Sequence, residues 1–194
     1  MSEFSIWFYT GLEHIADLEG YDHILFLLVL CGVYSLNEWK KLLILITAFT
    51  VGHSFTLALS VTDIFVADTG LIEFLIPVSI LITAVFNLKN LENSSQNIKL
   101  NYFLALFFGF IHGMGFSYLL KSLLGKEESI TYPLFAFNLG LEVGQIFIVA
   151  VVLALSFLLN QVFKISQRDK NFFISAAVFG IALIMALERL GELL

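Results

Sequence analysis

Apolar runs of membrane-crossing length recur along this chain, at residues 22–37, 41–61, 70–88, 100–124, 133–160 and 172–189. A helix needs about 20 mostly apolar residues to cross a bilayer, and these runs meet or approach that length. The first is the shortest and opens on Asp22 and His23. Residues 4–15, with Trp7 and Tyr9, read as a short helix at the headgroup level, where amphipathic rings settle. Composition agrees. Apolar residues make up 59% of the 194 and charged residues 13%, against about 45–50% and about 25% in soluble domains. The expected fold is all-α, a polytopic transmembrane helix bundle of about six spans plus a short N-terminal interfacial helix, forming a single domain over 1–194. Met1-Ser2-Glu3-Phe4 lacks the basic region of a cleaved signal peptide.

The basic residues set an expected orientation. Lys40, Lys41, Lys89, Lys99, Lys164, Arg168 and Lys170 fall between spans one and two, three and four, or five and six. The other side holds Lys121, Lys126 and Arg189, and its first stretch is acidic through Glu3, Glu13, Asp17 and Glu19. The positive-inside rule then puts both termini outside the cytoplasm, in the inner (plasma) membrane. A net charge of −6 with no basic patch excludes a nucleic-acid partner. A lone cysteine, Cys31, excludes an internal disulfide and a cysteine metal cage.

Gly109 with Gly113, and Gly140 with Gly144, carry the spacing that lets helix backbones approach closely in lipid. Such contacts serve within one bundle and are compatible with a homo-oligomer. Pro77 is expected to bend the third span by freeing a carbonyl. Residues 90–98 and 162–170 read as polar loops.

The costly residues are the informative ones. An ionisable group at the centre of a membrane helix costs at least about 2.5–3.5 kcal/mol on insertion scales. This chain keeps all four of its histidines, His14, His23, His53 and His112, at or within the spans, and adds Asp22, Glu73 and Glu142. His53 lies twelve residues beyond Lys41 and His112 thirteen beyond Lys99, in spans running the same way. At about 1.5 Å per residue both sit about 18–20 Å from the inner edge. Glu142, nine residues after Pro133 in a span of opposite sense, reaches a similar layer. Asp22, His23 and Glu73 lie nearer the outer mouth. Asn138, Glu142 and Gln145 share one helix face, and Thr47, Thr50 and His53 another.

Each residue also has a plain reading. His14 can be an ordinary interfacial histidine, Asp22 a helix cap and Glu73 a charge favouring a helix N-terminus. Glu188 and Arg189 read as an interfacial pair. For His53, His112 and Glu142 the plain reading is weaker, because matched buried ionisable groups need one another or an ion. Imidazole with carboxylate suits nickel, cobalt, zinc or iron(II) rather than calcium or magnesium.

Four strings carry a resemblance: Gly20-Tyr21-Asp22-His23, Thr47-Ala48-Phe49-Thr50-Val51-Gly52-His53-Ser54, Phe108-Gly109-Phe110-Ile111-His112-Gly113-Met114-Gly115-Phe116, and Phe137-Asn138-Leu139-Gly140-Leu141-Glu142-Val143-Gly144-Gln145. Together they resemble the HupE/UreJ family, in its shorter branch without a cleaved signal peptide. The resemblance implies a nickel or cobalt permease accompanying hydrogenase or urease. It places the family's histidine and Asp-His motifs on His14, Asp22, His23, His53 and His112, and its acidic motif on Glu142. His14 precedes Asp22 by eight positions, a wider gap than in the tight motif of the better-known nickel proteins.

Two functions compete. A permease would collect a divalent transition-metal ion (Ni, Co or Zn) at Asp22, His23 and Glu73 and hold it at His53, His112 and Glu142. An intramembrane zinc hydrolase would use the same ligands with one open position for water, on a lipid or amide. An accessory role, with metal bracing the bundle, is a third. The resemblance favours the permease. The scarcity of polar groups below the site, apart from Thr47 and Thr50, favours the enzyme.

Overall fold

The structure is a computed structural model that describes residues 2–18, 20–65, 67–91, 98–124 and 130–194. Glu19 and Lys126, both used in the charge argument, and most of the 90–98 loop lie outside the described residues. Among the described residues the chain is helical: α1 (Glu3–Ala16), α2 (Asp22–Cys31), α3 (Trp39–Val61), α4 (Thr69–Lys89), α5 (Ile98–Gly115), α6 (Ser117–Leu124), α7 (Thr131–Phe163) and α8 (Gln167–Leu193). Five of them, α3, α4, α5, α7 and α8, are long and apolar enough to cross a membrane. The expected bundle of membrane helices is what forms. Pro77 sits inside α4 without ending it. The expected span 100–124 divides into α5 and the short α6.

The first crossing differs from the expected 22–37 run. Helix α2 stops at Cys31 after 10 residues, about 15 Å of rise, or half a hydrocarbon core about 30 Å thick. The other half comes from α1, the segment expected at the interface. Phe4 meets Tyr132, Gly11 lies against Phe137 and Leu141, and Gly144 lies against Ile15. Rising numbers on both sides mean that α1 and α7 run parallel and in register. Helix α2 continues in the same sense. Its first turn, at His23, stands beside His112 near the end of α5, while its last turn lies where α4 ends and α8 begins. There Asn87 donates to the Val29 carbonyl at 2.8 Å, and Gln167 donates to the Gly32 and Tyr34 carbonyls at 2.9 and 3.0 Å. Carbonyls at a helix end have no intrahelical partner, so these amides let α2 finish inside the bundle. Helices α1 and α2 are thus two halves of one broken crossing, interrupted between Ala16 and Asp22.

Glycines fix the other close contact. A Cβ at Gly52 would collide with the Leu106 carbonyl, one at Gly109 with the Phe49 carbonyl, and one at Gly113 with the His53 carbonyl. Helices α3 and α5 therefore touch backbone to backbone and run parallel, as α1 and α7 do at Gly11 and Gly140. Lipid offers little hydrophobic reward for helix association, so close van der Waals contact supplies much of it. The expected pairs at 109/113 and 140/144 both serve this role. The core between the helices is aromatic, with Phe26, Phe49, Phe108 and Phe137 all fully buried.

Candidate metal centre

Each histidine comes from a different helix: His14 from α1, His23 from α2, His53 from α3 and His112 from α5. The two glycine contacts bring them together. The α3–α5 contact sets His53 and His112 on neighbouring turns, and the α1–α7 contact carries His14 down to the break, where α2 starts with Asp22 and His23. The ring of His14 stands 4.7 Å from that of His23 and 5.9 Å from that of His53, and His23 lies 5.0 Å from His112, centre to centre. One nitrogen from each of His14, His23 and His53 lies within 4.8 Å of the others. Small ring rotations bring such atoms to the metal–nitrogen distance of about 2.0–2.1 Å typical of zinc.

Hydrogen bonds orient two of the rings. Asp22 Oδ1 sits 2.9 Å from His23 Nδ1 and accepts from the His23 backbone N–H at 2.7 Å. His112 Nδ1 lies 2.9 Å from the Phe108 carbonyl. A donor Nδ1–H in each ring leaves Nε2 with its lone pair exposed to the cluster, the usual second-partner arrangement behind a metal-binding histidine. The Nε2 atoms of His14, His23 and His112 and both nitrogens of His53 are buried with no hydrogen-bond partner. Buried polar atoms are nearly always bonded, so so many orphaned nitrogens in one place fit a metal ion in both number and chemistry. Among the described residues, His14, His23 and His53 are the set that meets the spacing for one ion.

The cluster closes the bottom of a cavity of about 860 Å³. Glu13, Asp17, Asp22 and Glu73 line its walls, with Arg189 as counter-charge. The cavity opens at the end of the bundle where α4 begins and α8 ends. Below the cluster lies a dense aromatic floor: the Phe26 ring is 5.0 Å from Phe49, 6.0 Å from Phe108 and 5.8 Å from His112.

The sequence expectations fare unevenly here. His23, which the depth argument set nearer the outer mouth, stands beside both His53 and His112, at 6.1 and 5.0 Å between ring centres, with Asp22 behind it. His14, for which the sequence left a metal ligand and an ordinary interfacial histidine both open, is central to the cluster. Glu142 stands apart. Its carboxylate accepts from Thr47 at 2.6 Å, six residues along α3 from His53, and Gln145 accepts from Thr50 at 2.7 Å beside it. The two predicted polar faces do meet, as a ladder between α3 and α7 rather than as ligands beside the histidines. Opposed helix senses set the depth estimate, but an end-to-end count ignores tilt. Glu73 is held by Arg189 at 3.3 Å in the cavity wall, and Arg189 also binds Glu192 at 2.8 Å, with the expected partner Glu188 as a further nearby negative charge. Glu13 and Asp17 were legible only as part of an acidic stretch. Their i, i+4 spacing was the available sign that they share a side, and Asp17 falls just past the end of α1 as its C-cap.

Fold and centre together define a polytopic helical membrane protein that gathers four imidazoles under an acid-lined cavity. A family model described as HupE / UreJ protein matches residues 1–189. The chain belongs to the HupE/UreJ family. No curated protein and no solved structure matches it.

Proposed function

We propose that the chain is a permease for a divalent transition-metal ion (nickel, cobalt or zinc), caught with its site accessible from one side. The observation that carries this reading is the convergence of buried, partnerless imidazole nitrogens from four helices at the base of an acid-lined cavity. Carboxylates at the mouth raise the local cation concentration. Imidazoles then replace the ion's water shell, a ligand change that suits borderline metals and rejects calcium and magnesium. The site sits at a broken crossing, and transporters commonly build substrate sites from discontinuous helices near mid-membrane. Membership of the family supports the same cargo class. The positive-inside bias supports a cavity facing away from the cytoplasm, with both termini on that side of the plasma membrane.

The test is uptake into proteoliposomes carrying an internal metal indicator, with insertion and orientation checked by protease access. Wild type should accumulate nickel, cobalt or zinc above empty vesicles, and His53→Ala should not. Wild-type protein that inserts correctly and passes none of the three overturns the reading.

The size of the cavity favours a second reading. About 860 Å³ far exceeds one ion and falls within the range of small-molecule sites, about 300–1,000 Å³. A zinc ion at three histidines with an open position would activate water for hydrolysis of a lipid or amide. That reading expects turnover of such a substrate without metal flux.

A further inference from the structure

A permease must also let its ion out, and the route below the histidines is the least evident part of the molecule. The cavity on one side ends at the histidines, and the aromatic floor beneath them is closed. Under that floor lies a second, partly open space of about 10 Å³, at the lower limit for one water-sized particle. Its lining is mostly apolar, with Phe26 and Phe108 on the histidine side, and its polar members are Thr83, Asn87 and Asn101. These three polar residues come from α4 and α5, and all are buried. Asn101 lies eleven residues before His112 on α5, about 16 Å lower along the helix axis.

Two features make this space suitable for a cation. It sits at the C-terminal end of the half-helix α2, whose last turn also contributes Leu30 to its wall. That end carries the negative pole of the helix dipole. Its polar wall is built of amide and hydroxyl groups held in fixed orientation: Asn87 donates to the Val29 carbonyl at 2.8 Å, Asn101 to the Tyr34 hydroxyl at 2.7 Å, and Thr83 to the Ser79 carbonyl at 3.0 Å. Neutral oxygen groups bind nickel, cobalt or zinc more weakly than imidazoles do. A route that conducts needs such a weaker stop after a strong one.

Phe26 separates the two. Its ring both walls the lower space and faces a histidine of the cluster, His112 at 5.8 Å. It belongs to the half-helix itself, so displacement of α2 moves His23 and Phe26 together.

Resting on the permease reading, we propose that Phe26 is the inner gate and that the space bounded by Thr83, Asn87 and Asn101 is a second, transient stop for the ion. The inward path therefore runs between α2, α4 and α5. The ladder between α3 and α7 is not on it.

The test compares metal flux and bound metal in one set of proteoliposomes made from wild type, Phe26→Ala, Thr83→Val and Asn101→Leu. The ions used are nickel, cobalt and zinc, each supplied as the chloride. Phe26→Ala should raise the initial flux several-fold. Thr83→Val and Asn101→Leu should lower it about tenfold, while all three variants keep the wild-type metal stoichiometry. Should Phe26→Ala lose its metal, Phe26→Leu carries the same expectation with an apolar side chain still in place. Wild-type flux with every variant at the wild-type rate overturns the gate and the second stop while leaving the permease standing. No flux from correctly inserted wild type overturns both.

Discussion

Replacing Asp22 with asparagine keeps the shape of the side chain and removes its charge. In the wild type, one carboxylate oxygen serves two His23 donors, Nδ1 at 2.9 Å and the backbone N–H at 2.7 Å. Asparagine can still accept from one of them, so His23 stays near its place, but the imidazole loses the negative partner that fixes its tautomer and raises its basicity. Loss of a second-sphere partner of this type costs about 10–100-fold in metal affinity, which is about 1.4–2.8 kcal/mol. His23→Ala removes the ligand itself and should cost more. The assay is competition between the detergent-purified protein and a chromophoric chelator, run for wild type, Asp22→Asn and His23→Ala with one metal at one pH. The expected order is wild type, then Asp22→Asn, then His23→Ala. Affinity for Asp22→Asn indistinguishable from wild type would refute the orienting role. Affinity as poor as that of His23→Ala would make Asp22 a direct ligand instead.

The remaining expectations follow from neighbouring geometry. Glu142→Gln should leave metal stoichiometry unchanged, because that carboxylate is engaged by Thr47 and not by the histidines; loss of metal on elemental analysis would return Glu142 to the ligand set. Gly109→Leu places a side chain against the Phe49 carbonyl, separating α3 from α5 at an overpacking cost of about 1–3 kcal/mol or more. It should lower both the thermal midpoint in detergent and the bound metal, and an unchanged midpoint would contradict the backbone contact. Metal affinity should fall on acidification, since protonated imidazole cannot bind; affinity flat from neutral to mildly acidic pH would argue against histidine ligation. Gln167→Ala leaves the Gly32 and Tyr34 carbonyls unsatisfied at about 1–3 kcal/mol for a buried polar group. It should destabilise the end of α2, read as faster amide exchange at 29–34.

The membrane bundle was legible because apolar run length is a one-dimensional signal, and the glycine pairs at 109/113 and 140/144 were legible for the same reason. Two things were not. The break between α1 and α2 hides in the sequence, because Trp7 and Tyr9 give α1 the look of an interfacial helix, while the apolar run after Asp22 continues past the point where the chain turns. Only the carbonyl partners Asn87 and Gln167, far away in sequence, explain why α2 can stop. The second hidden element is lateral position. Counting residues from a span's edge gives depth, and it set His53, His112 and Glu142 in one layer. It cannot say which of several residues at one depth face each other, and the Glu142 carboxylate takes its hydrogen bond from Thr47. The lateral position of His14 was hidden as well. Gly11, three residues earlier, lets α1 lie against α7, and nothing short of the packing itself reveals that contact.

Buried histidines from four helices are proposed to hold one divalent metal ion. The most direct measurement is elemental analysis of purified protein after loading with nickel, cobalt or zinc and removal of free metal, with wild type beside His53→Ala and His112→Ala. Wild type should hold about one ion tightly per chain, as a single imidazole site requires, and both variants should show a clear loss. Equal metal content in all three proteins would contradict the proposal.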